Sequence, residues 1–296
     1  MILSANERAG LASVSVALTL VLLKAYASWL TGSAAMLGSL ADTALDLIAS
    51  LVTLYSVRLA AIPADRQHRF GHGKAEAISA FFQVVLISLS AFWIIVHAVQ
   101  QLVGGEAPEH AAAGIWVSVA ALLLTLFLLS YQRRVIARTG SIAIATDRIH
   151  YQSDLLLNAA VIGALLFESA IGLTGADAVA GIGIGVWLIY GAYRASREAI
   201  DQLMDREWPE ERRRAFIEVA NRHPALRGIH DLKTRTAGHH DFVQFHVWVD
   251  PDMTVGEAHR VMDEVEEKLR RSFPGVEILI HPDPAGHVDP GEEPLR

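Results

Sequence analysis

Six apolar segments, near residues 9–30, 34–60, 77–103, 113–136, 142–170 and 178–200, are each long enough to cross a bilayer core as a helix, which takes roughly twenty residues. Within hydrocarbon there is no water to hydrogen-bond the backbone, so stretches of this kind are confined to helices. Hydrophobic residues fill 52% of the 296 positions and charged residues 19%, a balance too apolar for an ordinary soluble chain. The expected fold is a polytopic α-helical membrane protein with six transmembrane helices. A competing reading, a cleaved signal peptide ending near Ala25-Tyr26-Ala27, is disfavoured by the thin charged region before the first segment and by that segment's length.

The short connections set the orientation. Between segments 2 and 3 stand Arg58, Arg66, Arg69 and Lys74, and between 4 and 5 stand Arg133, Arg134 and Arg138, with Arg148 just inside the next segment. The connections around Thr31-Gly32, Gly104–His110 and Gly172–Asp177 carry no Lys or Arg. Both termini and the basic loops are therefore expected on the cytoplasmic side.

Segments 2 and 5 are the least uniformly apolar. The fifth carries Thr146, Asp147, Arg148, His150, Gln152, Ser153, Asp154 and Asn158, so both should face a protein or water interior. Residues four apart share a helix face, which aligns Asp42 with Asp46 and His150 with Asp154. If the two segments pack together, three carboxylates and one imidazole converge on a tetrahedral metal site. That donor set suits Zn²⁺, with Cd²⁺, Fe²⁺ and Co²⁺ as alternatives. The plainer alternative is an Asp pair and a polar cavity-lining helix with no common purpose. The chain has no cysteine, which excludes thiolate sites and Cys nucleophiles, and its net charge of −7 argues against nucleic acid as a partner.

Two further clusters lie outside the apolar segments. Asp65, His68 and His72 fall within eight residues of the loop after segment 2, beside Gly71 and Gly73. They are placed to wrap one exchangeable ion, although a solvated loop with histidines among arginines is an equally ordinary reading. From Asp205 the composition turns polar, and helix 210–223, strands 229–236 and 241–250, helix 255–271 and strand 276–282 are predicted. This αββαβ unit is expected to form a C-terminal cytoplasmic α+β domain over 205–284, after a transmembrane domain over 1–204. The Pro, Gly and Glu-rich tail 285–296 is expected to be disordered. His230, His246, His259, His281 and Asp283 lie in or beside its strands and second helix, and a carboxylate among four imidazoles suits a binuclear metal site. His223, His239, His240 and His287 read as solvated. Lys74, at the entrance to segment 3, is either a positive-inside marker or a partner for Asp205 after segment 6.

Taken together, Asp42-x3-Asp46, His150-x3-Asp154, the loop from Pro63 through Asp65, His68, Phe70-Gly71-His72-Gly73-Lys74 to Glu76, and the terminal Ile280-His281-x-Asp283-Pro284 resemble the cation diffusion facilitator family, in its bacterial zinc/iron efflux branch. The resemblance spans about residues 8 to 284. It implies a homodimeric divalent-cation/proton antiporter of the bacterial inner membrane, with protons as the coupling ion and a metallochaperone-like cytoplasmic domain. Asp42, Asp46, His150 and Asp154 would be the transport site, and Asp65, His68 and His72 a loop site. His230, His246, His259, His281 and Asp283 would form a regulatory binuclear site, and Lys74 with Asp205 a charge interlock at the dimer interface. Pro282 stands where the family branch has Gln, which removes any side-chain ligation there.

Ligands must be deprotonated to bind metal, so a site of this kind exchanges metal for protons, and His150 is the expected exchanger. An enzyme is not expected. An intramembrane metalloprotease would need a motif such as His-Glu-x-x-His, which is absent, and a Glu beside the membrane cluster. A membrane metal sensor or structural protein without proton-coupled flux is the alternative reading.

Overall fold

The computed structural model describes residues 4–31, 34–104, 115–171, 176–222, 224, 228–238 and 240–287. It divides into two compact units, Met1–Ile200 and Asp201–Arg296. The first holds helices α1 (Ala5–Thr31), α2 (Ala34–Ala60), α3 (Ala75–Gly104), α4 (Ile115–Thr139), α5 (Ile142–Ile171) and α6 (Ala176–Leu203), the last of which runs on to the edge of the second unit. The second holds α7 (Glu210–Ala220), β1 (Ile229–Ala237), β2 (His240–Val249), α8 (Val255–Ser272) and β3 (Val276–Pro284). Six long helices followed by αββαβ is the order expected from the sequence.

In the first unit the usual distribution of side chains is inverted. Ser13, Ser50, Thr53, Gln83, Gln132 and Asp147 are buried between helices. Trp29, Tyr55, Trp93 and Phe127 are among the large apolar side chains left exposed. Such a surface suits lipid and would associate in water. Stretches of α1, α2, α3, α4 and α6 are long and apolar enough to cross a membrane, which makes this a multi-pass membrane protein. The helix α5 is just as long, at 30 residues, and carries the polar stripe.

Helix α1 packs on α2 and α4, and α5 on α4, α2 and α3. The start of α1 is capped reciprocally: Glu7 N–H donates to Ser4 Oγ (3.1 Å) and Ser4 N–H donates to Glu7 Oε2 (2.7 Å). Helix α6 lies against α3, with Leu188, Ala192 and Ala195 meeting Val84, Ile87 and Ala91. Gly185 permits that approach, since a Cβ there would stand 2.5 Å from Ile95 Cγ1.

The second unit is a three-stranded sheet in the order β1-β2-β3, with β1 antiparallel and β3 parallel to β2. Both helices cover one sheet face, where Phe216, Val243, Phe245, Val247, Val265 and Leu269 form the core. Pro209 precedes α7, with Glu210 and Glu211 in the first turn, where negative charge is favoured. Helix α7 stops at Ala220, short of the expected residue 223, with Asn221 as its C-cap. Helix α8 begins with the expected capping box of Thr254 and Glu257. The two hydrogen bonds from Thr254 hold the Glu257 carboxyl below the usual range. Strand β3 runs through Pro284, two residues past the expected end, and tolerates Pro282 and Pro284 at a sheet edge. Residues 288–296, His223, His239 and most of the connections near 104–114 and 172–175 lie outside the described residues.

Candidate metal centres

Three groups of side chains offer ligand atoms within 4.8 Å of one another: Asp46, His150 and Asp154; Asp65, His68 and His72; and His230, His246 and Asp283. Donors bound to one ion at about 2.1 Å lie at most about 4.2 Å apart, so each group is within small side-chain adjustments of chelation.

The first group is built by α2 and α5. On α5, Asp147, His150, Tyr151 and Asp154 recur at i, i+3, i+4 and i+7 and form one stripe. His150 Nε2 lies 2.7 Å from Asp46 Oδ1 on α2. Tyr151 Oη pairs with Ser50 Oγ of α2 at 2.8 Å and donates to the Ser13 carbonyl of α1 at 3.3 Å. Asp147 is wholly buried and its Oδ2 accepts from Ser13 Oγ and Gln132 Nε2, each at 2.8 Å. These bonds fix the rotation of α5 against α1, α2 and α4, and thereby the aim of His150. Asp42 stands one turn before Asp46 on α2, exposed, and the structure does not bring it into the group.

Two charged residues of this region, Lys24 and Asp147, have partners that spacing within their own segments does not announce. Lys24 on α1 donates to Thr43 Oγ1 of α2 at 2.6 Å and reaches the Ser39 carbonyl at 3.4 Å. A lone cation within an apolar span was the available signal. Asp147 was visible as a polar residue of segment 5, but its partners Ser13 and Gln132 are unremarkable in their own apolar segments.

In the loop, Asp65 Oδ1 accepts the backbone N–H groups of His68 (2.6 Å) and Gln67 (2.8 Å), an arrangement that holds the chain in a tight turn. Those two bonds, with a smaller contribution from the neighbouring imidazoles, keep the Asp65 carboxyl below its ordinary range. His72 Nε2 lies 3.5 Å from Asp65 Oδ2 and His68 Nδ1 3.6 Å from Oδ1, with the two rings 4.4 Å apart. Gly71, at φ +79°, supplies the left-handed residue that brings His72 back toward Asp65. Lys74 and Asp205 belong to different compact units, and Asp205 lies 3.6 Å from Arg235 within its own.

The third group stands on the sheet face opposite the core. Cross-strand register pairs His230 with His246 and His246 with His281, so β1, β2 and β3 each place one imidazole on the same rung. Asp283, two residues beyond His281, shares its face. Its Oδ2 lies 2.9 Å from His246 Nδ1 and 3.2 Å from His230 Nε2, and its Oδ1 lies 3.3 Å from His281 Nε2. The Asp283 carboxylate is buried, whereas the His281 side chain is 61% exposed. A buried carboxylate among imidazoles favours a bound cation, so this donor set fits a divalent metal. A β-bulge between His230 and Lys233, with Asp231 at φ +43°, brings Asp231 Oδ2 within 3.8 Å of His246 Nε2. His259 is not in this group; it is exposed on α8, with Nδ1 3.2 Å from Asp263. His240 and His287 are exposed.

A polytopic helical unit with a metal-ligand cluster between its helices, followed by a small metal-binding α+β domain, defines a membrane metal transporter. Residues 10–204 match the family description "Cation efflux transmembrane domain" and residues 208–285 match "Cation efflux protein, cytoplasmic domain". The cation-efflux pump FieF of Pectobacterium atrosepticum is 42% identical over 280 residues, covering 95% of this chain and 93% of the relative. FieF of Klebsiella pneumoniae is 40% identical over 287 residues, covering 97% and 95%. Among solved structures, the zinc form of the transporter CzrB is 44% identical, covering 28% of this chain and 97% of that one with a TM-score of 0.25. The chain belongs to the cation efflux, or cation diffusion facilitator, family, whose members are transporters and not enzymes.

Proposed function

We propose that the protein exports divalent metal ions, zinc foremost, from the cytoplasm across the bacterial inner membrane in exchange for protons. The observation that carries this reading is the joining of Asp46, His150 and Asp154 from two helices of the membrane unit. Carboxylates at that depth are costly unless they serve a pathway or a cation. Asp42, one turn away on α2, supplies the fourth ligand when its side chain turns inward.

Exchange follows from the donors themselves. Metal binding requires a deprotonated imidazole and ionised carboxylates, so an arriving ion displaces protons and arriving protons displace the ion. His150 must give up a ring proton to ligate the ion, which makes it the exchanger. Asp65, His68 and His72 form an exchangeable loop site that gathers ions at the cytoplasmic side. His230, His246, His281 and Asp283 hold regulatory zinc in a homodimer, with Lys74 and Asp205 as a charge interlock at the dimer interface. The family match supports the dimer through its cytoplasmic domain. Both termini and the basic loops lie in the cytoplasm, by the placement of Lys and Arg.

Zinc flux into proteoliposomes under an opposing pH gradient tests the reading. Flux should follow the gradient in the native protein and vanish in Asp46→Ala and Asp154→Ala. Flux undiminished in either variant, or indifferent to the gradient, would overturn it. Competition among Zn²⁺, Cd²⁺, Fe²⁺ and Co²⁺ in the same assay ranks the cargo.

A further inference from the structure

Only two lysines occur in residues 1–200, and one of them, Lys24, lies inside an apolar span and not in a loop. A lysine in such a place commonly extends toward the headgroups along the lipid-facing side of its helix. Lys24 does the reverse. Its side chain is half-buried, and its ammonium donates at 2.6 Å to the hydroxyl of Thr43, a residue itself only 2% exposed. The Thr43 hydroxyl donates in turn to the Ser39 carbonyl at 3.0 Å, which leaves its lone pairs facing Lys24. A second, longer bond joins the ammonium to the same Ser39 carbonyl at 3.4 Å. Both acceptors are neutral, so neither hydrogen bond cancels the charge.

The surroundings of that charge are acidic. Thr43 sits between Asp42 and Asp46 on α2 and one turn before Asp46, so the ammonium bonded to its hydroxyl is anchored to the stretch of helix that carries both carboxylates. Asp46 is bonded in turn to His150, and one turn before His150 on α5 Asp147 accepts from Ser13 and Gln132. Lys24 is thus a cation tethered by a hydroxyl to the helix that carries Asp42 and Asp46.

We propose that Lys24 is a tethered counter-ion of the transport site, which offsets the ligand carboxylates when no metal is bound and weakens the hold on a divalent cation so that it can leave. The inference rests on the reading of Asp46, His150 and Asp154 as that site. Its physical basis is repulsion between like charges in a poorly screened interior. A transporter gains nothing from tight binding of its cargo, since an ion held too firmly is released slowly. The fixed ammonium supplies a positive charge that cannot be carried away with the ion.

The test uses the full-length protein in proteoliposomes and separates KM from kcat for zinc. Lys24→Gln removes the charge and retains a donor for Thr43. It should lower KM by about tenfold and lower kcat with it, the pattern of tightened ground-state binding. Lys24→Met should do the same if it folds, and Lys24→Arg, which keeps the charge, should stay within about twofold of the native values. A purely structural role predicts the opposite sign, because a disordered site binds metal less well. An unchanged or raised KM in folded Lys24→Gln, judged by its thermal unfolding and monodispersity, overturns the proposal. Should the native protein carry no zinc, or Asp154→Ala retain its flux, the transport-site reading fails first. If both behave as expected and Lys24→Gln alone is silent, only the counter-ion role is lost.

Discussion

His150 Nε2 lies 2.7 Å from Asp46 Oδ1, a bond between residues 104 positions apart that joins α5 to α2. At that distance a hydrogen sits between the two heteroatoms, and a metal ion must displace it to use both as ligands. Removal of the imidazole should therefore do two things at once. His150→Ala is expected to cut zinc flux more than tenfold, on the order of a lost ligand or more, and to make the residual flux insensitive to the pH gradient. Stopped-flow zinc uptake at several gradients measures both. A His150→Ala protein with lowered but still pH-driven flux would assign proton exchange to another group.

Asp65 should not be the group through which a metal held in the loop is lost on mild acidification. The backbone N–H groups of His68 and Gln67 hold the Asp65 carboxyl below its ordinary range. The stabilisation of the turn by the ionised form is complete above the ordinary carboxylate range, and is lost only as pH falls through the depressed value. Across neutral and mildly acid pH Asp65 stays ionised. In a protein whose other two clusters are disabled, Asp65→Asn should raise the Kd for zinc by the same factor at every pH from 5 to 8. Equilibrium binding over that range measures it, and a factor that changes with pH would count against the assignment.

For the cytoplasmic unit, Trp248 provides an internal reporter. Its ring stacks on His230 with centroids 4.5 Å apart, and His230 Nε2 lies 3.2 Å from Asp283. Zinc binding at Asp283 should change Trp248 emission. It should also raise the stability of this unit by about 2.7 kcal/mol at a free concentration one hundred times Kd. Asp283→Ala should abolish both effects, and Trp248→Phe should remove the optical signal while keeping the stabilisation. A zinc-induced stabilisation that persists in Asp283→Ala would place the ion elsewhere.

Packing of α6 on α3 gives a stability prediction. A methyl group at Gly185 would stand 2.5 Å from Ile95 Cγ1 and 3.3 Å from the Ala91 carbonyl oxygen. Gly185→Ala should destabilise the membrane unit by about 1–3 kcal/mol, the usual range for overpacking. Shortening the opposing side chain in Ile95→Ala should recover part of that loss, and thermal unfolding of the double variant in detergent measures the coupling. Additive effects of the two changes would show that they do not meet.

Much of this architecture is written in periodicity. Long apolar runs mark the helices, alternation over Phe242–Val249 marks β2, and Thr254 with Glu257 marks the start of α8. Spacing alone put His150 and Asp154 on one face of α5, and Asp65, His68 and His72 in one loop. What could not be read is which faces meet. Ser13 and Gln132 become informative only because Asp147 lies between them, and nothing local to their own segments says so. Asp42 shares a face with Asp46 by sequence, yet a helix turn carries it out of the cluster that Asp46 joins. Likewise His259 was grouped with the strand histidines by residue type, whereas α8 holds it exposed beside Asp263. Lys24 is legible by its chemistry, as a lone cation within an apolar run.

The rung of imidazoles formed by His230, His246 and His281 has a consequence for assembly of the cytoplasmic unit. Strand side chains alternate between faces, so a slip of one residue in β3 would turn His281 and Asp283 toward the core and Glu277 and Leu279 with them. A mispaired sheet would therefore bury a charge and lose its ligands in the same step. A metal captured on this rung would thus also proofread strand alignment, since the full ligand set exists only in chains whose three strands have found their register.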